Sequence, residues 1–230
     1  MMEALAAPHP PRVTRAVIFD LGGVVLDWRP LELLQRFYSG HGEAVREAVR
    51  RGVFDHPDWL DLDRGTLSHE QAVPRFAART GRPKGEMERL LLAVRDSLQP
   101  FPETVALMRS LAADGVPLYC LSNMHAEIAA WLVRRYDFWP LFQGIVFSAD
   151  EKLIKPDPEI FHRLLRRHGL TAERTAFVDD HAANIESARR LGLHAIHFVG
   201  AAQCGDALRR WLGEGSNSPP ALSRGTASAL

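Results

Sequence analysis

Cysteine is scarce in this chain of 230 residues, with Cys120 and Cys204 its only two. Such a pair makes neither a disulfide framework nor a zinc-ligand set. Cys120 lies in an apolar run, where a buried reduced thiol is expected. An excess of one charge is also missing: Lys plus Arg number 28 and Asp plus Glu 28, a formal net charge of zero. That balance argues against a nucleic-acid partner held by bulk electrostatics, which needs a basic excess or stripe. A small anion needs only a local patch and stays open. No apolar run approaches the ~18 residues of a membrane span. The start, MMEALAAPHPP, lacks the apolar stretch of a secretory signal. The expectation is a cytoplasmic protein with no membrane, no nucleic acid and no required protein partner.

What is present is ordinary for a globular chain, 46% hydrophobic and 24% charged. The length suits one large domain, or a core carrying a small insert. Residues 1–12, with Pro8, Pro10 and Pro11, read as a flexible leader. Residues 213–230, rich in Gly, Ser and Pro, read as a disordered tail.

Five short runs rich in Val, Ile and Phe stand between these ends, at 15–19, 116–121, 144–147, 174–178 and 194–199. Each has the character of a strand buried on both faces. Helical segments at 124–136, 158–168 and 182–191 separate the last four. The middle one is punctuated at both ends: Asp157 can cap it, Pro158 suits its first position and Gly169 can end it. Alternating strand and helix predicts an α/β fold, a doubly wound parallel sheet. The stretch 30–98 breaks the alternation with several helices, one opening on a Ser68–Gln71 capping box despite an early Pro74. It reads as an inserted α-helical cap domain, leaving 13–29 and 99–212 as the core. A helix over 102–113 returns to that core.

Ligands in an open parallel sheet sit at the carboxyl ends of the strands. The first strand runs into Asp20-Leu21-Gly22-Gly23, the second into Ser122-Asn123 and the fourth into Asp179-Asp180. The loop after the third carries Lys155-Pro156-Asp157. A carboxylate, a hydroxyl, an ammonium and paired acids on one rim suit phosphoryl transfer. A carboxylate can attack phosphorus, a divalent cation can offset repulsion between anions, and lysine and hydroxyl can hold the phosphoryl oxygens. Paired glycines after Asp20 permit a tight turn and a close approach to ligand.

The same residues resemble the haloacid dehalogenase-like hydrolase superfamily over roughly 15–200. The motifs are VIFDLGGVVLD (17–27), LSN (121–123), IKPDP (154–158) and FVDDHAANIESARRLG (177–192). Together with LDRGTLS (62–68), they look most like the phosphatase branch with a small helical cap that includes bacterial glucose-1-phosphate phosphatase. The resemblance implies a Mg²⁺-dependent phosphatase of small phosphorylated metabolites, sugar phosphates among them, working through an aspartyl-phosphate on Asp20. Asp20, the Gly22 carbonyl and Asp180 would hold Mg²⁺, with Asp179 supporting them or binding directly. Ser122, Asn123 and Lys155 would hold the phosphoryl group, and Asn184 would complete the fourth motif by bonding to neighbours such as Lys155.

One position departs from the pattern. Most phosphatases of the family read DxD in the first motif, and the second Asp does the acid–base work. Here it is Gly22. A leaving group of low pKa would need less proton assistance; otherwise another acid substitutes, Asp27 or Asp63 being the candidates. Arg64 is a candidate substrate contact, because guanidinium suits phosphate oxygens and hydroxyls; a surface arginine in a turn is nearly as good a reading. His56, His125 and His181 lie near the site segments, although for any one of ten histidines a surface position is expected; Trp28 and Trp59 are candidates to line the cleft between cap and core, with packing the expected role of both. Two rival functions stand beside the phosphatase. One is a metal-independent 2-haloacid dehalogenase-type hydrolase, against which the 179–180 acid pair weighs. The other is a catalytically silent binding module.

Overall fold

The structure, a computed structural model, describes residues 15–214. The leader assigned to 1–12 and all but the first two residues of the tail assigned to 213–230 lie outside them. Those two belong to the last helix, which runs to Glu214.

Five parallel strands form one sheet: β1 (Ala16–Phe19), β2 (Leu118–Ser122), β3 (Phe142–Phe147), β4 (Thr175–Asp179) and β5 (His194–His197). Their order is β3-β2-β1-β4-β5, so the earliest strand is central. Side chains alternate across the sheet with period two. Val17, Phe19, Leu118, Cys120, Ala176 and Val178 enter one core; Ala16, Ile18, Tyr119, Leu121 and Phe177 enter the other. Both faces are therefore covered, which explains why these strands read as continuous apolar runs. β3 and β5 are the edges, and two of the four residues of β5 are exposed. Both cysteines are buried free thiols.

After β1 come five helices: α1 (Pro30–Phe37), α2 (Glu43–Val49), α3 (Pro57–Arg64), α4 (His69–Thr80) and α5 (Lys84–Ser97), with a π turn at Arg50–Phe54. They close on a third apolar cluster of their own, including Tyr38, Leu62, Phe76, Met87 and Leu90. Ser68 and Gln71 form the expected reciprocal capping box, and α4 continues through Pro74. The chain then runs through α6 (Pro102–Ala113), α7 (Ala126–Arg135), the single turn α8 (Ser148–Glu151), α9 (Pro158–His168), α10 (Ala182–Arg190) and α11 (Ala201–Glu214). Residues of α6, α7 and α11 pack on one face of the sheet, and those of α9 and α10 on the other. As the sequence predicts, Asp157 caps α9 through the Glu159 amide at 2.9 Å, Pro158 opens it and Gly169 ends it at φ 63°. Among the described residues no helix is long and apolar enough to cross a membrane.

Candidate active site

The sheet order decides which side chains meet. β1 lies between β2 and β4, pairing Phe19 with Cys120 on one side and with Val178 on the other. The residues that follow are Asp20, Ser122 and Asp179, at the carboxyl ends of three adjacent strands spaced about 4.8 Å apart. All three are buried.

Lys155 enters from the segment after α8, and its backbone is clamped on two sides. Its N–H donates to Asn123 Oδ1 (2.8 Å), Asn123 Nδ2 donates to its carbonyl (3.0 Å), and Ser187 Oγ donates to the Pro156 carbonyl (2.7 Å). Its ammonium, 3% exposed, sits 2.8 Å from Asp20 Oδ1 and 2.7 Å from Asp179 Oδ2. Burial works against that ammonium, but the two carboxylates outweigh it and raise it above its ordinary value. One lysine shared between two acids leaves each with a partial counter-charge. Burial therefore wins at Asp20 and pushes its carboxyl up to about 7 against the pull of Lys155, with Asp179 adding to the rise. Asp20 Oδ1 also accepts from the Leu21 amide at 2.7 Å, while among the described residues Oδ2 has no hydrogen-bond donor.

The loop after Asp20 folds back on itself, with the amides of Val24, Val25 and Leu26 all donating to the Leu21 carbonyl. Gly23 has φ 75°, and a Cβ there would lie 2.2 Å from Asp180 Oδ2. Only glycine lets the Asp180 carboxylate come so near this turn. Asp20, Asp179 and Asp180 each offer an oxygen within 4.8 Å of the others. Three carboxylates gathered round one ammonium leave an excess of negative charge, and burial raises Asp180 too, with Asp179 adding to it. The donor set is all oxygen, as Mg²⁺ requires, so these residues fit a divalent cation.

Beside Gly22 lies a cavity of about 70 Å³, lined by Gly22, Trp28, Trp59, Asp63, Leu98, Asn123, Met124, His125 and Ile128. Trp28 and Trp59 stack at 5.9 Å. A larger groove of about 1070 Å³ runs along α6 and α11 and touches the β1 loop only at Gly23 and Arg29. The carboxylates do not converge there.

Residues 14–192 match the haloacid dehalogenase-like hydrolase family. The chain belongs to that family. It is 28% identical to a sesquiterpene phosphatase of Aspergillus oryzae, covering 80% of this chain and 90% of that protein. It is 27% identical to a phosphorylated carbohydrates phosphatase of Thermotoga maritima (80% and 84% covered). It is 25% identical to an (S)-2-haloacid dehalogenase of Pseudomonas fluorescens (77% and 81% covered). In fold it is similar to a haloacid dehalogenase family enzyme of Bacteroides thetaiotaomicron, solved with magnesium and inorganic phosphate. That match has a TM-score of 0.65 at 20% identity, over 80% of this chain and 93% of the other.

The family motifs thus come together in space, and several of their side chains are engaged with one another. Asn123 is occupied with the Lys155 backbone. Asn184 donates to both oxygens of Asp179 (3.1 and 3.0 Å), and the His181 amide donates to Oδ1 at 2.8 Å. With Lys155 added, Asp179 is committed to protein donors, which leaves Asp180 as the freer of the two acids. Arg64 pairs with Asp61 one turn back on α3 (2.7 Å) and is absent from the cavity lining, because a long cation on the last turn finds its i−3 acid first. Its neighbour Asp63 lines the cavity instead. Asp27 pairs with Arg29 at 2.8 Å. His125 is not at the surface: it is 1% exposed, against Trp59 and His69. Its local sequence, SNMHAE, carries no signal of that, since its partners come from α3 and α4.

Proposed function

We propose that the protein is a Mg²⁺-dependent phosphatase that hydrolyses a small phosphorylated metabolite by way of an aspartyl-phosphate on Asp20. The observation that carries this reading is the shared ammonium. Lys155 holds Asp20 by one oxygen at 2.8 Å, with Asp179 at 2.7 Å and Asp180 alongside. Asp20 is thereby oriented with its other oxygen uncommitted, as a nucleophile requires. Lys155 and the Ser122 hydroxyl take the phosphoryl oxygens, and Asn123 acts by fixing Lys155 in place. Asp20, Asp180 and the Gly22 carbonyl hold the metal, and Asp179 steadies Lys155. Bound there, Mg²⁺ would supply positive charge to offset the negative charge of the transferred phosphoryl group. The family membership and the two phosphatase relatives support the same reading.

The helical stretch 30–98 acts in this reading as a cap over the site, and the protein works in the cytoplasm. The cavity beside Gly22 is walled by Trp28, Trp59, Leu98, Met124 and Ile128. That lining favours a leaving group presenting hydrocarbon over a free polyol, in keeping with the relative named for sesquiterpenes. At about 70 Å³ the cavity holds only a few atoms, so a larger group enters when the cap shifts.

The test is turnover of p-nitrophenyl phosphate with Mg²⁺ and with EDTA, alongside prenyl and sugar monophosphates. We expect activity that EDTA abolishes and that Asp20→Asn lowers by roughly 10⁴-fold. The dehalogenase relatives and the glycine at 22 favour one second reading, halide displacement by Asp20. Full activity on a 2-haloacid in EDTA would establish it in place of the first.

A further inference from the structure

Position 22 lacks a side chain, so the proposed phosphatase needs its proton donor from elsewhere. We propose that Asp63, on the helical insert, is the general acid and base of the reaction, positioned by the buried His125. The inference rests on the phosphatase reading above.

Geometry separates Asp63 from every other acid near the site. Asp20, Asp179 and Asp180 belong to the nucleophile and cation cluster, and Asp27, ion-paired with Arg29, does not line the cavity. Asp63 faces the cavity that Gly22 lines from the opposite element. Its backbone is locked to the core. Ser148 Oγ bonds to the Asp63 carbonyl while accepting the Met124 amide at 2.9 Å. Two residues on, Gly65 has φ 70°, and a Cβ there would meet the Ala149 carbonyl at 2.4 Å. Lys152 Nζ donates to the Gly65 carbonyl at 2.6 Å. Two of the chain's three lysines therefore sit on the segment after β3, one fixing this turn and the other holding Asp20.

His125 supplies the positioning. Its Nε2 is buried without a well-formed hydrogen bond and lies 3.4 Å from Asp63 Oδ1. Its Nδ1 lies 3.1 Å from His69 Nε2. Burial, with His69 adding to it, holds His125 well below its ordinary value, so the ring is neutral. When His69 donates to Nδ1, the single proton of His125 sits on Nε2, which is 3.4 Å from Asp63 Oδ1 and makes no other hydrogen bond among the described residues, so a small rotation of either side chain completes the bond. His69 is itself 23% exposed, beside Glu127, and opens this pair to solvent. Burial pushes the Asp63 carboxyl up to about 7, Asp20 adding and Lys155 opposing, which suits a group that must both give and take a proton near neutrality.

In the first step an Asp20 carboxylate oxygen bonds to phosphorus. The P–O bond to the alcohol breaks, its electron pair stays on the alcohol oxygen, and Asp63 gives that oxygen its proton. In the second step a water oxygen attacks phosphorus and gives a proton to the Asp63 carboxylate. The acyl-phosphate O–P bond then breaks, returning the electron pair to Asp20. Phosphate leaves, and Asp63 is protonated again.

The experiment compares Asp63→Asn with wild type on p-nitrophenyl phosphate and on an alkyl phosphate. p-Nitrophenolate departs without a proton, so its kcat/KM stays within about twofold, while kcat falls about 100-fold because water attack still needs the base. On the alkyl ester kcat/KM itself falls about 100-fold. Gly22→Asp in the Asp63→Asn background recovers at least about tenfold of that loss, since a Cβ at 22 makes only an ordinary 3.6 Å contact with Trp28. Equal losses of kcat/KM on both esters would overturn the assignment. A wild-type protein inert toward both would overturn the phosphatase reading and this one with it. If Asp63→Asn does not fold, wild type decides through the dependence of kcat/KM on leaving-group pKa. A shallow dependence supports proton donation, and a fall of about tenfold per unit refutes it.

Discussion

Asp179 is a fully buried carboxylate at the end of the sheet and Asp63, its side chain 14% exposed, a partly buried one beside it, and their surroundings could hardly differ more. Asp179 accepts from Lys155, at both of its oxygens from Asn184 Nδ2, and from the His181 backbone amide. Asp63 has one partner side chain among the described residues, the imidazole of His125 at 3.4 Å. The contrast follows from where each acid sits. A strand end in a parallel sheet leads directly into the first turn of a helix, whose N–H groups and side chains supply donors within a few residues. A turn docked from a separate element meets only what the facing surface offers. A saturated acid holds a geometry. An acid with one weak partner is free to change protonation, and that division of labour is what the site requires.

The comparison breaks most visibly at Lys155. Removing its charge in Lys155→Met leaves Asp20 and Asp179 facing each other in a buried site. We expect a loss of about 3–5 kcal/mol of stability in urea unfolding, together with loss of turnover. Asp179→Asn added to it recovers part of the stability, because one of the two stranded charges is gone. A single-variant loss below about 1 kcal/mol would show that the ammonium does not organise the cluster.

The Asp179 side of this contrast was legible in the sequence and the Asp63 side largely was not. Strands buried on both faces announce themselves as apolar runs, and the acids directly after them are placed by the sheet whatever the rest of the chain does. The limits of α9 could be read to the residue because Asp157, Pro158 and Gly169 each act locally. β3 begins two residues earlier than its GIVF run, since Gln143 interrupts the pattern while pairing continues across a register shift. His125 was missed because its burial depends on Trp59, Asp63 and His69, all from the insert. Arg64 was the attractive residue of its turn and Asp63 only one of two open candidates. Which of two adjacent side chains faces the core depends on how α3 docks, and the docking is set by Ser148, Ala149 and Lys152 far along the chain.

The same contrast has a signature in pH. A carboxyl whose folded value, about 7 for Asp63, lies above its unfolded value keeps its proton longer when folded. Well below the unfolded value of 3.8 both states are protonated and the group is neutral in effect; as pH rises from there toward 7 the unfolded chain ionises more readily, so stability declines. In metal-free buffer, wild type should lose on the order of 2–3 kcal/mol more than Asp63→Asn between pH 4 and pH 8. Asp20 titrates in both proteins, and its repulsion of Asp63 is part of the difference measured. Parallel stability profiles would mean that Asp63 is solvated and that its isolation from partners is only apparent.

The gentlest probe leaves both acids in place and loosens only the attachment of one. Ser148 is fully buried, and its hydroxyl joins the Asp63 carbonyl to the Met124 amide across the junction of insert and core. Ser148→Ala strands one acceptor and one donor, for an expected loss of about 1–2 kcal/mol. Asp179 is untouched, since its donors come from Lys155, α10 and the loop before it. The informative quantity is the ratio between substrates. If the hydroxyl serves to aim Asp63, kcat/KM on an alkyl phosphate falls about tenfold, because small displacements of a proton donor are costly, while p-nitrophenyl phosphate is little affected. If both esters slow equally, Ser148 merely holds two layers together, and the distinction between a placed acid and a stranded one loses its support.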